Sequence, residues 1–126
     1  MEWRLELVFL PVADLDRAKA FYRDQVGFHE DFDSRFGEHV RMVQLTPPGS
    51  ACSIALLSGM EPGAPGRGSM EPGSLNGLTI VVPDIMAARA KLIANGVEVT
   101  EVVEAVHEAG GSVYRAIRGQ PRGWNA

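Results

Sequence analysis

The sequence predicts an α+β fold built around a strand–helix unit that the chain makes twice. Three observations carry this. Residues 8–28, VFLPVADLDRAKAFYRDQVGF, read as an apolar strand that breaks into a capped helix. The same order of strand, cap aspartate, helical stripe and closing glycine returns from Leu78 to Gly96. Between the two copies lies a Gly/Pro-rich stretch that no packed core can use.

Residues 5–12 form the first predicted strand. Val8, Leu10 and Val12 alternate with Leu7, Phe9 and Pro11, so both faces are apolar, as in a strand covered on both sides. Asp14 stands where an N-cap belongs, with a carboxylate able to accept from the first free backbone N–H groups. Leu15, Ala18, Phe21, Tyr22 and Val26 then recur along one side of a helix over 15–26, which Gly27 can end in the left-handed conformation. Residues 28–32 start a second strand whose charged composition suits an edge. His39 to Thr46 and Ala51 to Leu57 are strands of matching length across the Pro47-Pro48-Gly49-Ser50 turn, and so form a hairpin.

Residues 58–74 carry Met-Glu-Pro-Gly twice and read as a connector, with a mobile lid as the functional alternative. In the second copy, Leu78, Ile80 and Val82 form a strand face, Asp84 caps, and Ile85, Ala88, Leu92 and Ile93 form the stripe. Laying Asp84 on Asp14 also matches Val82 with Val12, Ala88 with Ala18 and Ala90 with Ala20. Val97–Val103 is predicted to alternate as a strand, and Ser112–Ile117 to form a last short one. The expected organisation is a single domain, 1–126, with one module over 1–57, a linker over 58–74 and a second module over 75–126.

At 126 residues and 45% hydrophobic, the chain can bury a core. Its net charge of −4 and the absence of any basic run make nucleic acid an unexpected partner. Cys52 is the only cysteine, which excludes an intrachain disulfide and fits a reducing cytoplasm. The start, MEWRLEL, lacks the apolar core of a signal peptide, and no apolar run reaches membrane-spanning length. The expectation is a soluble cytoplasmic domain.

The duplicated VADLDRAKAFYRDQVGF and VVPDIMAARAKLIANGV, with RMVQLTPPGSACSIAL between them, resemble the vicinal oxygen chelate superfamily. That group holds glyoxalase I, the bleomycin- and fosfomycin-resistance proteins and the extradiol dioxygenases. The resemblance implies two tandem βαβββ modules whose sheets curl side by side around an open cavity, often in a homodimer. It also implies, for the active members, one divalent metal held by His, Glu or Gln and acting as a Lewis acid. The first ligand of that pattern stands seven residues before the cap aspartate. Here those positions are Leu7 and Gly77, and the position in the fourth strand falls near Ile54 or Ala55. None carries a metal-binding atom. Glu6 and Asn76 carry suitable atoms, but alternation sends them to the opposite face, and a one-residue slip would strip Val8, Leu10 and Val12 from the helices. The chain ends RGQPRGWNA where the family pattern has an aspartate-rich turn and a ligand-bearing strand, so the second module is expected to be shortened at its C-terminus.

Other constellations read blandly. His29, His39 and His107 have no metal-ligand spacing and are expected in loops or on the surface. Cys52 reads as a small strand residue, Tyr22 as packing, and the Glu98, Glu101, Glu104 and Glu108 series as a solvated face. Strand parity proposes the cavity lining: Leu7, Phe9, Met42, Gln44, Ser53, Ala55, Gly77 and Thr79, with Tyr114 from a late strand. This mix is mostly apolar with a few hydrogen-bonding groups, suited to a small organic ligand. The leading expectation is therefore a metal-free, ligand-binding homodimer with no cofactor. A metal-dependent lyase, transferase or dioxygenase of the glyoxalase type is the alternative, and a degenerate interaction-only domain is the third reading. The sequence leaves catalysis open.

Overall fold

In the computed structural model, residues 1–65, 67–75, 77–107 and 112–116 are described. The chain divides into two compact units, one running from Met1 to Leu78 and another beginning at Thr79. Each is described by itself.

The first unit is a complete βαβββ module. Strand β1 (Leu7–Pro11) leads through the Asp14 cap into helix α1 (Leu15–Ala20), followed by β2 (His29–Phe36), β3 (Val40–Thr46) and β4 (Ser53–Ser58). These four strands form one mixed sheet in the order β1-β4-β3-β2. β1 runs parallel to β4, whereas β4–β3 and β3–β2 are antiparallel. The parallel pairing of β1 with β4 is what forces a helix crossover between the sheet's two outer strands.

The Asp14 carboxylate accepts from the Arg17 N–H at 3.1 Å, as an N-cap should. The helix differs from the expected single α-helix over 15–26. It is α-helical to Ala20 and π-helical over Phe21–Val26. The N–H groups of Gly27 and Phe28 both donate to the Tyr22 carbonyl, at 3.0 and 2.8 Å. Gly27, at φ 96°, takes the left-handed turn that allows this closure. The wider turn leaves the neighbours Phe21 and Tyr22 both buried, their rings edge to face at 5.1 Å, with Phe28 against Tyr22 at 5.5 Å.

Register assigns the two faces of the sheet. Val8 pairs with Ile54, Leu10 with Leu56, Val43 with Leu56 and Leu45 with Ile54, so these residues share the face that α1 covers. Leu10, Val43, Leu45, Ile54 and Leu56 are all buried there, against Leu15, Ala18, Phe21 and Tyr22. Ala18 has no exposed surface, and its small side chain lets the helix approach the sheet closely.

The Gly/Pro-rich connector is more tied down than its composition suggests. Gly73 N–H donates to the Pro11 carbonyl at 3.0 Å, pinning it to the end of β1. The Arg67 side chain is buried and donates to the Met70 carbonyl.

In the second unit the Asp84 carboxylate caps helix α2 (Ile85–Ala94) through the Ala87 N–H at 3.0 Å, repeating the Asp14 device. Arg89 Nε donates to the Thr100 carbonyl at 2.9 Å, tying the helix to the segment beyond it. Strands β5 (Val103–His107) and β6 (Ser112–Ala116) form an antiparallel hairpin. Two expected strands are absent here. Residues 78–82 belong to neither sheet, Ile80 and Val81 being exposed, and 97–103 does not run as a strand until Val103. Alternation records which side chains favour a sheet, but a strand exists only with a hydrogen-bonded neighbour, and β5 finds its neighbour in β6. The expected C-terminal shortening concerns residues 117–126, outside those described.

Candidate functional site on the far face of the sheet

The face turned away from α1 is defined by rows that cross the strands. Phe9, Ala55, Gln44 and Phe32 form one row, and Pro11, Leu57, Met42 and Ser34 the next. Leu7 lies opposite Ser53, and His29 opposite Thr46. The structure thus brings six of the proposed lining residues onto one face: Leu7, Phe9, Met42, Gln44, Ser53 and Ala55. Ser53, Ala55 and Leu57, on inner strand β4, are buried, while Leu7, Phe9, Met42, Gln44 and Thr46 are half-buried.

Gly77 and Thr79 are not on a strand of this sheet, and Thr79 opens the second unit. Both are exposed and lie outside the sheet, because the strand expected to carry them is not formed. Tyr114 is on β6, paired with Ala105, and its side chain lies outside the described residues.

A polar chain that the sequence only half disclosed crosses this apolar face. Gln44 Nε2 donates to Asp31 Oδ2 at 3.1 Å, and the Thr46 hydroxyl donates to the same oxygen. Thr46 Oγ1 lies 2.6 Å from Ser53 Oγ. Thr46 has a single proton, and an ionised carboxylate can only accept, so Ser53 is the donor in that last bond. The Thr46 hydroxyl, and then the Gln44 amide, hold the Asp31 carboxyl below the usual carboxylate range against a modest cost of burial, and the charge of His29 works in the same direction.

Asp31 stands at a break in register. Glu30 pairs with Leu45 and Phe32 with Gln44, which leaves Asp31 as the extra residue of a β-bulge. Alternation from His29 already points Asp31 this way, and the bulge keeps Phe32 on the same face; the sequence analysis assigned no faces to this strand and so missed Asp31. Thr46, by contrast, shares the parity of Met42 and Gln44 and could have been found.

On the helix face, β2 presents a different chemistry. Asp33 takes both Arg41 Nε at 3.0 Å and Arg41 Nη2 at 2.7 Å, and also Lys19 Nζ at 2.8 Å. Arg41 first, then Lys19, hold the Asp33 carboxyl far below its ordinary value. Glu30 bonds Lys19 and Arg23, each at 3.0 Å. Arg41 also reaches Asp16 on α1 at 2.6 Å.

Leu7 faces away from the helix, as expected, so the register has not slipped to bring Glu6 in, and Glu6 is exposed ahead of β1. Leu7, Ala55 and Gly77 offer no donor atom. Among the described residues no three His, Cys, Asp or Glu side chains gather as a metal site. The donor set described does not fit the divalent metal of the fold's active members. His29 and His39 are exposed, and Cys52 is half-buried.

With fold and face in view, comparison places the chain. The profile of the Glyoxalase/Bleomycin resistance protein/Dioxygenase superfamily matches residues 4–120, and the chain belongs to this superfamily. It is similar to a glyoxalase/bleomycin resistance protein from Streptomyces sp. CB03234, at 30% identity, 97% coverage of this chain and 95% of that one, with a TM-score of 0.73. It is also similar to TnmS3, an antibiotic binding protein from the same organism, at 34% identity over 79% of this chain and 76% of that one, with a TM-score of 0.64. A superfamily member from Sphaerobacter thermophilus DSM 20745 shares the fold at 24% identity, 97% and 91% coverage and a TM-score of 0.70. No functionally curated protein matches the sequence significantly. Among the described residues no helix is long and apolar enough to cross a membrane.

Proposed function

We propose that the protein captures a small, partly apolar organic molecule on the far face of its sheet, without a metal. The observation that carries this reading is the hydrogen-bonded chain Gln44–Asp31–Thr46–Ser53 set among Leu7, Phe9, Met42 and Leu57. Fixed polar groups on a half-buried apolar surface orient a ligand while the apolar side chains supply the contact area. Leu7 and Gly77, with Ile54 or Ala55, fill the positions where the family resemblance places metal ligands, which makes capture rather than metal-assisted turnover the better reading. Similarity to an antibiotic binding protein supports the same class of occupant.

The protein acts, on this reading, as a cytoplasmic homodimer with neither nucleic-acid nor membrane partners. The outer position of β1 and β2 in the four-stranded sheet supports the dimer, since outer strands present backbone groups to a second chain. The single domain over 1–126, with a linker over 58–74, belongs to the same proposal. Tyr114 and Thr79 remain candidates for the lining.

The test is a thermal-shift screen of small aromatic and polycyclic molecules on EDTA-treated protein, followed by titration with Ni, Zn, Mn and Fe(II). The expected hit raises Tm in EDTA, since a ligand at a hundredfold its Kd stabilises by about 2.7 kcal/mol. Stoichiometric metal binding that is required for ligand binding would overturn the metal-free reading in favour of the glyoxalase-type enzyme. A library that never moves Tm would favour the interaction-only domain.

A further inference from the structure

The acidic residues of β2 are not balanced alike. Glu30 and Asp33, on the helix face, are each held by two cationic side chains. Asp31, on the far face, is met by neutral donors, and both Gln44 and Thr46 spend their protons on the same oxygen, Oδ2. Oδ1 is left with His29 Nδ1 at 3.9 Å, outside hydrogen-bond reach, and that nitrogen already faces the Glu30 carbonyl at 3.0 Å. Among the described residues no lysine or arginine forms an ion pair with Asp31. The row that starts beside it at Phe32 runs on through Gln44 and Ala55 to Phe9, none of which carries a charge.

Asp31 is exposed, and beside a neutral imidazole a carboxylate held by neutral donors keeps its charge without a cationic partner, which a ligand cation supplies at short range. Resting on the ligand-binding reading above, we propose that this face selects molecules carrying a protonated amine, which donates to Asp31 Oδ1. The apolar body of the ligand lies across β3 and β4 toward Phe9. From β2 to β1 is three strand spacings, roughly 14 Å, so the fitting body is rod-like or flat and about two to three rings long. Neither the aliphatic amine of a small metabolite nor an anion meets both ends of this surface.

Calorimetry with three probes of one shape tests the idea on the full chain: biphenylmethylamine, biphenylmethanol and biphenylcarboxylate, at about pH 8, where an ordinary imidazole is neutral. The amine is expected to bind at least about tenfold more tightly than the alcohol, with the carboxylate weakest, a charged hydrogen bond being worth that factor or more. Asp31→Asn brings the amine to within about threefold of the alcohol, whereas Glu30→Gln, the same charge change on the other face, keeps the preference. In the unaltered protein, raising salt from about 50 mM to about 500 mM weakens the amine and leaves the alcohol unchanged, which reads the ion pair even if Asp31→Asn does not fold. Equal binding of all three probes overturns the amine selectivity while leaving the ligand-binding reading intact. A preference that survives in Asp31→Asn, or an amine insensitive to salt, places the cation elsewhere and overturns the assignment. Absence of binding by all three overturns both readings.

Discussion

The two faces of the first sheet are made from alternate residues of the same strands, and they solve opposite problems. On the helix face, Leu10, Val43, Leu45, Ile54 and Leu56 are sealed by α1, and every acid of β2 that turns that way is matched by Lys19, Arg23 or Arg41. On the far face, Leu7, Phe9 and Met42 stay half-buried, Phe32 is exposed, and the one acid present is held by an amide and a hydroxyl. The first arrangement closes a fold, because neutralised charges at the rim of a filled core leave nothing for a ligand to complete. The second leaves both contact area and charge unsatisfied, which is how a binding surface differs from a packing surface.

The largest effect expected from this contrast comes from adjacent residues of β3. Leu45→Ala removes a side chain with no exposed surface and should cost about 2–5 kcal/mol in urea unfolding. Gln44→Ala, one residue away on the other face, should cost under about 1 kcal/mol and act on ligand affinity instead. Comparable losses from the two would erase the distinction between the faces.

A smaller difference separates the two aspartates. Asp33→Asn breaks a bidentate arginine pair and a lysine contact, and should cost about 1–2 kcal/mol, partial exposure screening the rest. Asp31→Asn should cost less than about 1 kcal/mol, since only neutral donors are lost. The pH dependence follows the same line. Both carboxyls are held below their unfolded value near 3.9, so their contribution is complete above it and is lost as pH falls through about 4 and below. Urea midpoints measured from pH 6 to pH 3 should therefore fall for the parent protein and fall less steeply for Asp33→Asn. A steeper fall in that variant would contradict the assignment.

The smallest effect concerns the helix side alone. Among the described residues the buried Tyr22 hydroxyl has no hydrogen-bond partner, and burial pushes its pKa well above the ordinary tyrosine value. Tyr22→Phe should be neutral or stabilising by up to about 1 kcal/mol, because the desolvated hydroxyl is removed and the ring packing is kept. A clear loss of stability would mean that the hydroxyl does make a bond.

Much of this was legible in the residues. Asp14 and Asp84 announced their helices, Gly27 its left-handed stop, and the alternation of Val43 and Leu45 with Met42 and Gln44 assigned both faces correctly. Those signals are local, and local physics produces them. Three features escaped these signals. The bulge at Asp31 arises from how β2 registers on β3, the π-helical turn closes on the Tyr22 carbonyl without disturbing the apolar spacing, and residues 78–82 alternate like a strand yet do not run as one. The half of the site built from parity, Gln44 and Ser53, was readable; Asp31, on a strand assigned no faces, was not.

The most direct test of the account is methyl-resolved NMR of the isotope-labelled protein titrated with biphenylmethylamine. The account predicts that the methyl signals of Leu7 and Met42 and the side-chain amide of Gln44 shift with ligand, while those of Leu10, Leu45 and Leu56 stay in place. Shifts centred on the helix-face leucines, with Met42 and Gln44 unmoved, would contradict it.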